Sequence, residues 1–354
     1  MDFVDDEYPE LAAIDSLGLA ENDVQLLEQF GERFTPLPVR GLIVARGLSS
    51  ATKVVLKPQS LFPLLVKLDD AEGIRREEAG DRLIRDRTPP LSIPPLEGVL
   101  YSNSRAAIAY RYVTGGRVRH VVRRLDNEIS KLSTYRLLQM TDDIFDVILK
   151  KCHWLDGRYE LLPIRLPEKI SDSEIINDPQ WDELRTMYES VKSMARSLRA
   201  PHAIVHGDLH AKNILVTRDD APVLIDFSFA GERECQYKDY AKLESSLQFQ
   251  CDGTIAEEMW RHEQLIYGPT PLIVPHSNTK LAACIHRIRS NLWQGCTRKS
   301  LQMSSEEVDA GYRSFLVYNL VRIYGRDNNS RNTKQRAYHQ AMALFNGFSS
   351  NTAT

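Results

Sequence analysis

The chain has 354 residues, 42% of them hydrophobic, enough for one large two-lobed unit or two ordinary domains with a buried core. Its 45 basic and 48 acidic side chains leave a net charge of -3, which carries no electrostatic footprint for nucleic acid or an anionic membrane. Five scattered cysteines without a C-x-x-C pair, an acidic start from Met1 to Glu10 and the lack of an 18-residue apolar run argue against a disulfide framework, a signal peptide and a membrane span; the expectation is a cytoplasmic protein.

In chain order, residues 1–34 read as an N-terminal extension with a helix between Asp15 and Phe30. From Val39 the period changes to that of strands: Val39 to Arg46, a small-residue turn from Gly47 to Ala51, Thr52 to Lys57, then Leu64 to Leu68. Asp69 or Asp70 caps a helix over Ala71 to Arg85, ended by the prolines at 89, 90, 94 and 95. Two more strands follow, Glu97 to Tyr101 and Ala106 to Val113, closed by Gly115 and Gly116. Beyond them the apolar spacing turns helical, through Val121 to Leu138 and Asp142 to Lys151, then a long loop from Leu162 to Asn177. Asp178 and Pro179 read as N-cap and first helical residue of a helix with its apolar stripe on Trp181, Leu184, Met187 or Tyr188, Val191, Met194 and Leu198. Later helices carry the stripe Leu281, Cys284, Ile285, Ile288 and Leu292, and a capping box of Ser304 with Glu307.

The chemistry concentrates in one stretch. His206-Gly-Asp208-Leu-His210-Ala-Lys212-Asn213 runs into an apolar strand and a turn, and a second apolar strand ends in Ile225-Asp226-Phe227-Ser228. An Asp, four intervening residues, an Asn and then a hairpin ending in a second Asp provide what Mg-ATP chemistry needs. Asp208 can accept a proton from a hydroxyl, Asn213 can offer its amide oxygen to Mg²⁺, and Asp226 can offer a carboxylate to the same kind of hard cation.

This segment resembles the H-G-D-x-x-x-x-N and I-D-F elements of the aminoglycoside phosphotransferase, choline kinase and fructosamine kinase group, part of the protein-kinase-like fold. The resemblance implies an α+β, two-lobed architecture: an N-lobe over residues 35–113 with a five-stranded antiparallel sheet and one helix, and a mainly helical C-lobe over 114–354 carrying the catalytic-loop hairpin. It implies that Lys67 contacts the ATP phosphates, that Glu77, rather than Glu78, pairs with it, and that Gly47, Ser49 and Ser50 lie in a phosphate-binding loop. It places Tyr110 and Tyr112 in the hinge beside adenine and Leu215 on the adenine floor. Gly207 stands where protein kinases carry Arg, and Asp239 follows Asp226 closely, so an activation segment is short or absent. Asp239 and Glu244 are expected to brace the loop. Ser228 replaces the usual Gly of the metal-binding motif, which removes backbone freedom next to Asp226.

The expected activity is transfer of the ATP γ-phosphate to a hydroxyl of a small molecule, or of a protein, with ATP and Mg²⁺ as cofactors. Two other readings stand beside it: an ATP-binding pseudokinase module in a bacterial signalling or defence assembly, and nucleotidyl transfer onto a protein. The identity of the acceptor and the oligomeric state are not legible in the chain.

Overall fold

A computed structural model describes residues 12–34, 40–46, 51–57, 63–111, 124–154, 160–168, 170, 178–217, 219–249, 251, 280–297, 301, 303–326 and 329–351. The chain divides into two compact units, one of residues 1–123 with 215–230 and one of 124–214 with 231–354.

In the first unit, β1 (Ala12–Ala13), β2 (Arg40–Arg46), β3 (Thr52–Lys57), β4 (Leu64–Asp70), β5 (Leu96–Ser102) and β6 (Arg105–Arg111) form one antiparallel sheet in the order β1-β2-β3-β4-β6-β5. The five expected strands are all present, and β1 adds a sixth at the edge. The single helix expected over Asp15 to Phe30 is instead a 3-10 turn (Ile14–Leu17) followed by α1 (Glu21–Phe34). Gly18 separates them at φ 64, the left-handed region that glycine enters without penalty.

Side chains alternate across a strand, so β4 divides its residues between two faces. Leu64, Val66 and Leu68 pack with Val54 and Leu56 of β3 against Leu26, Leu27 and Phe30 of α1. Leu65 points the other way, onto Leu215, Val223 and Ile225. α2 (Ala71–Arg85) lies on that second face, with Ala71 and Ile74 against Ala106, Ile108 and Tyr110. Asp70 caps α2 by accepting from the Gly73 N–H at 2.6 Å. Lys67 has the same parity as Leu65 and therefore reaches into the layer under α2.

The second unit is mainly helical. α3 (Leu125–Glu128) and α4 (Thr134–Asp142) replace the one long helix expected there, because Ser133 starts a new helix by accepting from Arg136 N–H. A π-helical stretch (Asp143–Ile148) leads to α5 (Lys150–His153). β7 (Glu160–Pro163), α6 (Pro179–Ala195) and β8 (Arg199–Val205) follow. The short strands β9 (Ile214–Val216) and β10 (Pro222–Leu224), whose residues from 215 on belong to the first unit, pair with each other, whereas β11 (Gly231–Cys235) joins β8 and β7 in a three-stranded sheet of the second unit. α7 (Tyr237–Phe249), α8 (Lys280–Cys296), α9 (Ser305–Tyr324) and α10 (Arg331–Asn351) complete the chain. The capping box of Ser304 and Glu307 is present on α9. No helix among the described residues is long and apolar enough to cross a membrane.

Candidate functional site

A lysine-carboxylate cluster fills the layer beneath α2. Lys67 Nζ donates to Glu77 Oε2 at 2.5 Å, Asp226 Oδ1 at 2.8 Å and Ser228 Oγ at 2.9 Å. Glu77 is 1% exposed and also accepts from the Tyr110 hydroxyl at 3.1 Å. A second lysine, Lys53 on β3, sits directly across from Lys67 in the sheet register and donates to Asp226 Oδ2 at 2.9 Å. Burial alone would raise the Asp226 pKa, but the two ammonium groups outweigh it and hold the carboxyl well below the usual carboxylate range. Burial likewise pulls Lys67 down, and Glu77 with Asp226 more than reverse it, so Lys67 stays protonated. Asp226 has φ 70, a left-handed conformation that few residues other than glycine adopt. The turn is held: Ala230 N–H donates to the Phe227 carbonyl at 2.9 Å, and that carbonyl lies against Gly80 of α2.

In the second unit, β8 ends at Val205 and delivers the loop carrying Asp208. Asp239 at the start of α7 accepts from the backbone N–H of His206 and of Gly207, both at 2.8 Å, and lies 3.0 Å from His153 Nε2. It braces the loop as the sequence suggests, whereas Glu244 does something else: it is fully buried and paired with Arg289 of α8 at 2.5 Å and with the Tyr312 hydroxyl of α9 at 2.7 Å. Asp208 is flanked by Lys242 at 2.8 Å and His210 at 3.3 Å. Its burial pushes the pKa up, and Lys242 and His210 overturn that and hold it well below the ordinary value. Asn213 donates its amide nitrogen to the Asp208 carbonyl at 3.1 Å, which leaves its side-chain oxygen as the atom able to face a cation.

Of the residues named from sequence, Lys67, Glu77, Tyr110 and Asp226 come together in the first unit, and Asp208 and Asn213 in the second. The Tyr110 side chain is buried on Glu77, and Leu215 is packed against Leu65, Val223 and Ile225. Gly47, Ser49, Ser50 and Tyr112 lie outside the described residues. Sequence reasoning missed Lys53 and Lys242. Lys53 has a readable signal in hindsight, since its parity in β3 places it opposite Leu56 and Val54; Lys242 has one only as the cation one turn beyond Asp239 on α7.

The donor set suits the expected cofactors. Mg²⁺ takes hard oxygen ligands and commonly only one or two from the protein, the rest coming from phosphates and water. Asp226 and Asn213 offer such oxygens, and no cluster of three or more His, Cys, Asp or Glu able to hold a metal occurs among the described residues. Two ammonium groups on adjacent strands suit a polyphosphate.

Among solved structures, aminoglycoside phosphotransferase APH(4)-Ia matches 91% of this chain and 98% of its own, at 14% identity and a TM-score of 0.52. The chain has the protein-kinase-like fold of the aminoglycoside phosphotransferases. A thermostable mutant of the same phosphotransferase, in a ternary complex with AMP-PNP and hygromycin B, matches 91% of this chain and 96% of its own at 14% identity and a TM-score of 0.50. Spectinomycin phosphotransferase APH(9)-Ia, in complex with ADP and spectinomycin, matches 92% and 97% at 11% identity and a TM-score of 0.50. Within this phosphotransferase fold, residues 175–266 match the family described as ternary complex associated domain 9. No curated protein sequence matches the chain.

Proposed function

We propose that the protein is an ATP-dependent phosphotransferase that moves the γ-phosphate to an alcohol group. The observation that carries this reading is Lys67 held between Glu77 and Asp226. Burying charges costs several kcal/mol each, a cost a chain retains only where pairing or function repays it. Here a lysine aimed at phosphates, its orienting glutamate and a metal-type carboxylate are all kept.

In this reading bound Mg-ATP supplies the phosphoryl group and the metal charge that neutralises its oxygens. Lys67 and Lys53 bind phosphate oxygens, while Asp226 and Asn213 are the metal ligands. Asp208 accepts a hydrogen bond from the acceptor hydroxyl and takes its proton. Its depressed pKa makes it a weak base, which a loose phosphoryl-transfer transition state tolerates, because positioning the hydroxyl matters more there than basicity. Gly47, Ser49, Ser50, Tyr112 and the Tyr110 backbone complete the nucleotide site, with Leu215 on its floor.

The test is transfer of label from γ-labelled ATP to fractions of a small-molecule and protein extract. Wild-type protein should label an extract component, and Asp208→Asn should do so about 10²- to 10⁴-fold more slowly. Full transfer by Asp208→Asn removes Asp208 as the base. The family match over 175–266 favours one second reading, an ATP-binding interaction module. Protection from heat by ATP without any transfer, together with a partner retained only in ATP, would select it.

A further inference from the structure

We propose that Lys53 and a divalent cation compete for the same oxygen of Asp226, so that the site resists metal alone and takes metal and nucleotide as a pair. The inference deepens the phosphotransferase reading and rests on it for Asp226 as a metal ligand and Lys53 as a phosphate contact.

The two carboxylate oxygens of Asp226 are divided between two ammonium groups. Oδ1 accepts from Lys67 at 2.8 Å and lies 3.2 Å from the Ser228 hydroxyl. Oδ2 accepts from Lys53 at 2.9 Å, its sole hydrogen-bond partner among the described residues. Strand register sets this contact. Lys53 stands opposite Lys67, and Val55, of the same parity on β3, packs with Leu65, Leu215, Val223 and Ile225. Lys53, Lys67 and Asp226 all lie within the first unit.

The three groups are unequally held. Asp226 sits at φ 70 in a turn closed by the Ala230–Phe227 hydrogen bond and backed by Gly80, so its carboxylate has little freedom to swing away. The Lys67 side chain is 8% exposed and donates to Glu77, Asp226 and Ser228. The Lys53 side chain is 21% exposed, and among the described residues Asp226 is its one partner. An ammonium on a flexible four-carbon stem leaves such a contact by side-chain rotation alone. Lys53 is therefore the group that yields when the charge around Asp226 changes.

The charges of the cluster balance without a metal: two ammonium groups, Lys53 and Lys67, face two carboxylates, Glu77 and Asp226. Oδ1 being taken by Lys67, Oδ2 is the oxygen Asp226 can give to a cation, and an ammonium 2.9 Å from that oxygen repels any other cation that approaches it. Nucleotide phosphates reverse the preference. They bring several negative charges for Lys53 to follow, and Lys53 lies two residues beyond Ala51, where the turn expected to hold phosphates ends. As Lys53 moves to phosphate, Oδ2 is freed. By linkage, nucleotide then tightens metal binding by the same factor by which metal tightens nucleotide binding.

The test is titration of the full chain with Mn²⁺ alone, free Mn²⁺ being read by electron paramagnetic resonance. Lys53→Met should bind Mn²⁺ about tenfold or more tightly than wild type, a gain that damage to the fold does not produce. Lys53→Arg should stay as weak as wild type, and adding Asp226→Asn to Lys53→Met should abolish the gain. If Lys53→Met melts early, Lys53→Gln serves in its place. With AMP-PNP added, the factor by which nucleotide tightens Mn²⁺ binding should be larger in wild type than in Lys53→Met. Equal or weaker Mn²⁺ binding by Lys53→Met overturns the proposal, as does a gain that survives Asp226→Asn or a nucleotide effect of the same size in both proteins. Because the first titration contains no nucleotide, a chain that never transfers phosphate can still pass it, and an active kinase can fail it.

Discussion

Ser228 receives a hydrogen bond from Lys67 and offers its own proton to Glu77 at 2.8 Å or Asp226 at 3.2 Å. Read from sequence, it is a lost glycine; in the structure the left-handed turn falls on Asp226, and residue 228 is wanted for its hydroxyl. Ser228→Ala should therefore cost about 1–2 kcal/mol, because Glu77 keeps its burial and loses a donor. The denaturation midpoint reads this directly, and an unchanged midpoint would mean the hydroxyl is idle. Asp208, Asn213 and Asp226 stood out because their spacing along the chain is itself the signal, whereas Lys67 and Glu77 were named only through the family resemblance that this spacing carried. Lys53 offered only its parity within β3; that it faces Lys67 depends on the pairing of β3 with β4, a register that no local pattern states.

Gly80 on α2 opposes helix propensity to packing. Alanine is worth about 1 kcal/mol more than glycine inside a helix. A Cβ at Gly80, however, would sit 2.0 Å from the Phe227 carbonyl oxygen, a backbone atom that cannot swing aside. Packing wins, and Gly80→Ala should destabilise by about 1–3 kcal/mol while displacing the turn that carries Asp226, seen as weaker Mg-ATP binding. The Glu244–Arg289 pair makes a similar demand on α7, α8 and α9. Arg289→Met leaves a buried carboxylate with the Tyr312 hydroxyl and no cation, and should cost about 3–5 kcal/mol; Glu244→Gln in the same chain should recover much of it. The helices with full stripes, α6, α8 and α9, were readable from their 3.6-residue period. The interruptions at Gly18, Ser133 and Asp143–Ile148 were not, because a break requires only one cap or one extra residue and leaves the apolar count unchanged.

Across the whole molecule, Asp208, Asp226 and Asp239 all have pKa values held below the unfolded value, each against its own burial. A depressed carboxyl contributes stability that is complete above the unfolded pKa, about 3.9, and is lost as pH falls through the folded one. Urea midpoints should stay level from about pH 7 down to about pH 5 as far as these groups are concerned, then drop steeply below about pH 4. Midpoints that held level down to pH 2 would show that these pairs contribute nothing to the fold.

Residues 215–230 belong to the first unit although 124–214 belong to the second, so the order of synthesis and the order of packing differ. At a ribosomal rate of about 5–20 residues per second, the sheet waits about 5–20 seconds after residue 123 for its last layer. During that interval Leu65 has no Val223 or Ile225 to cover it, and Lys53 and Lys67 have no Asp226. A nascent chain stalled at residue 123 should therefore be sticky and digestible by protease, and one stalled with residue 230 clear of the exit tunnel should resist.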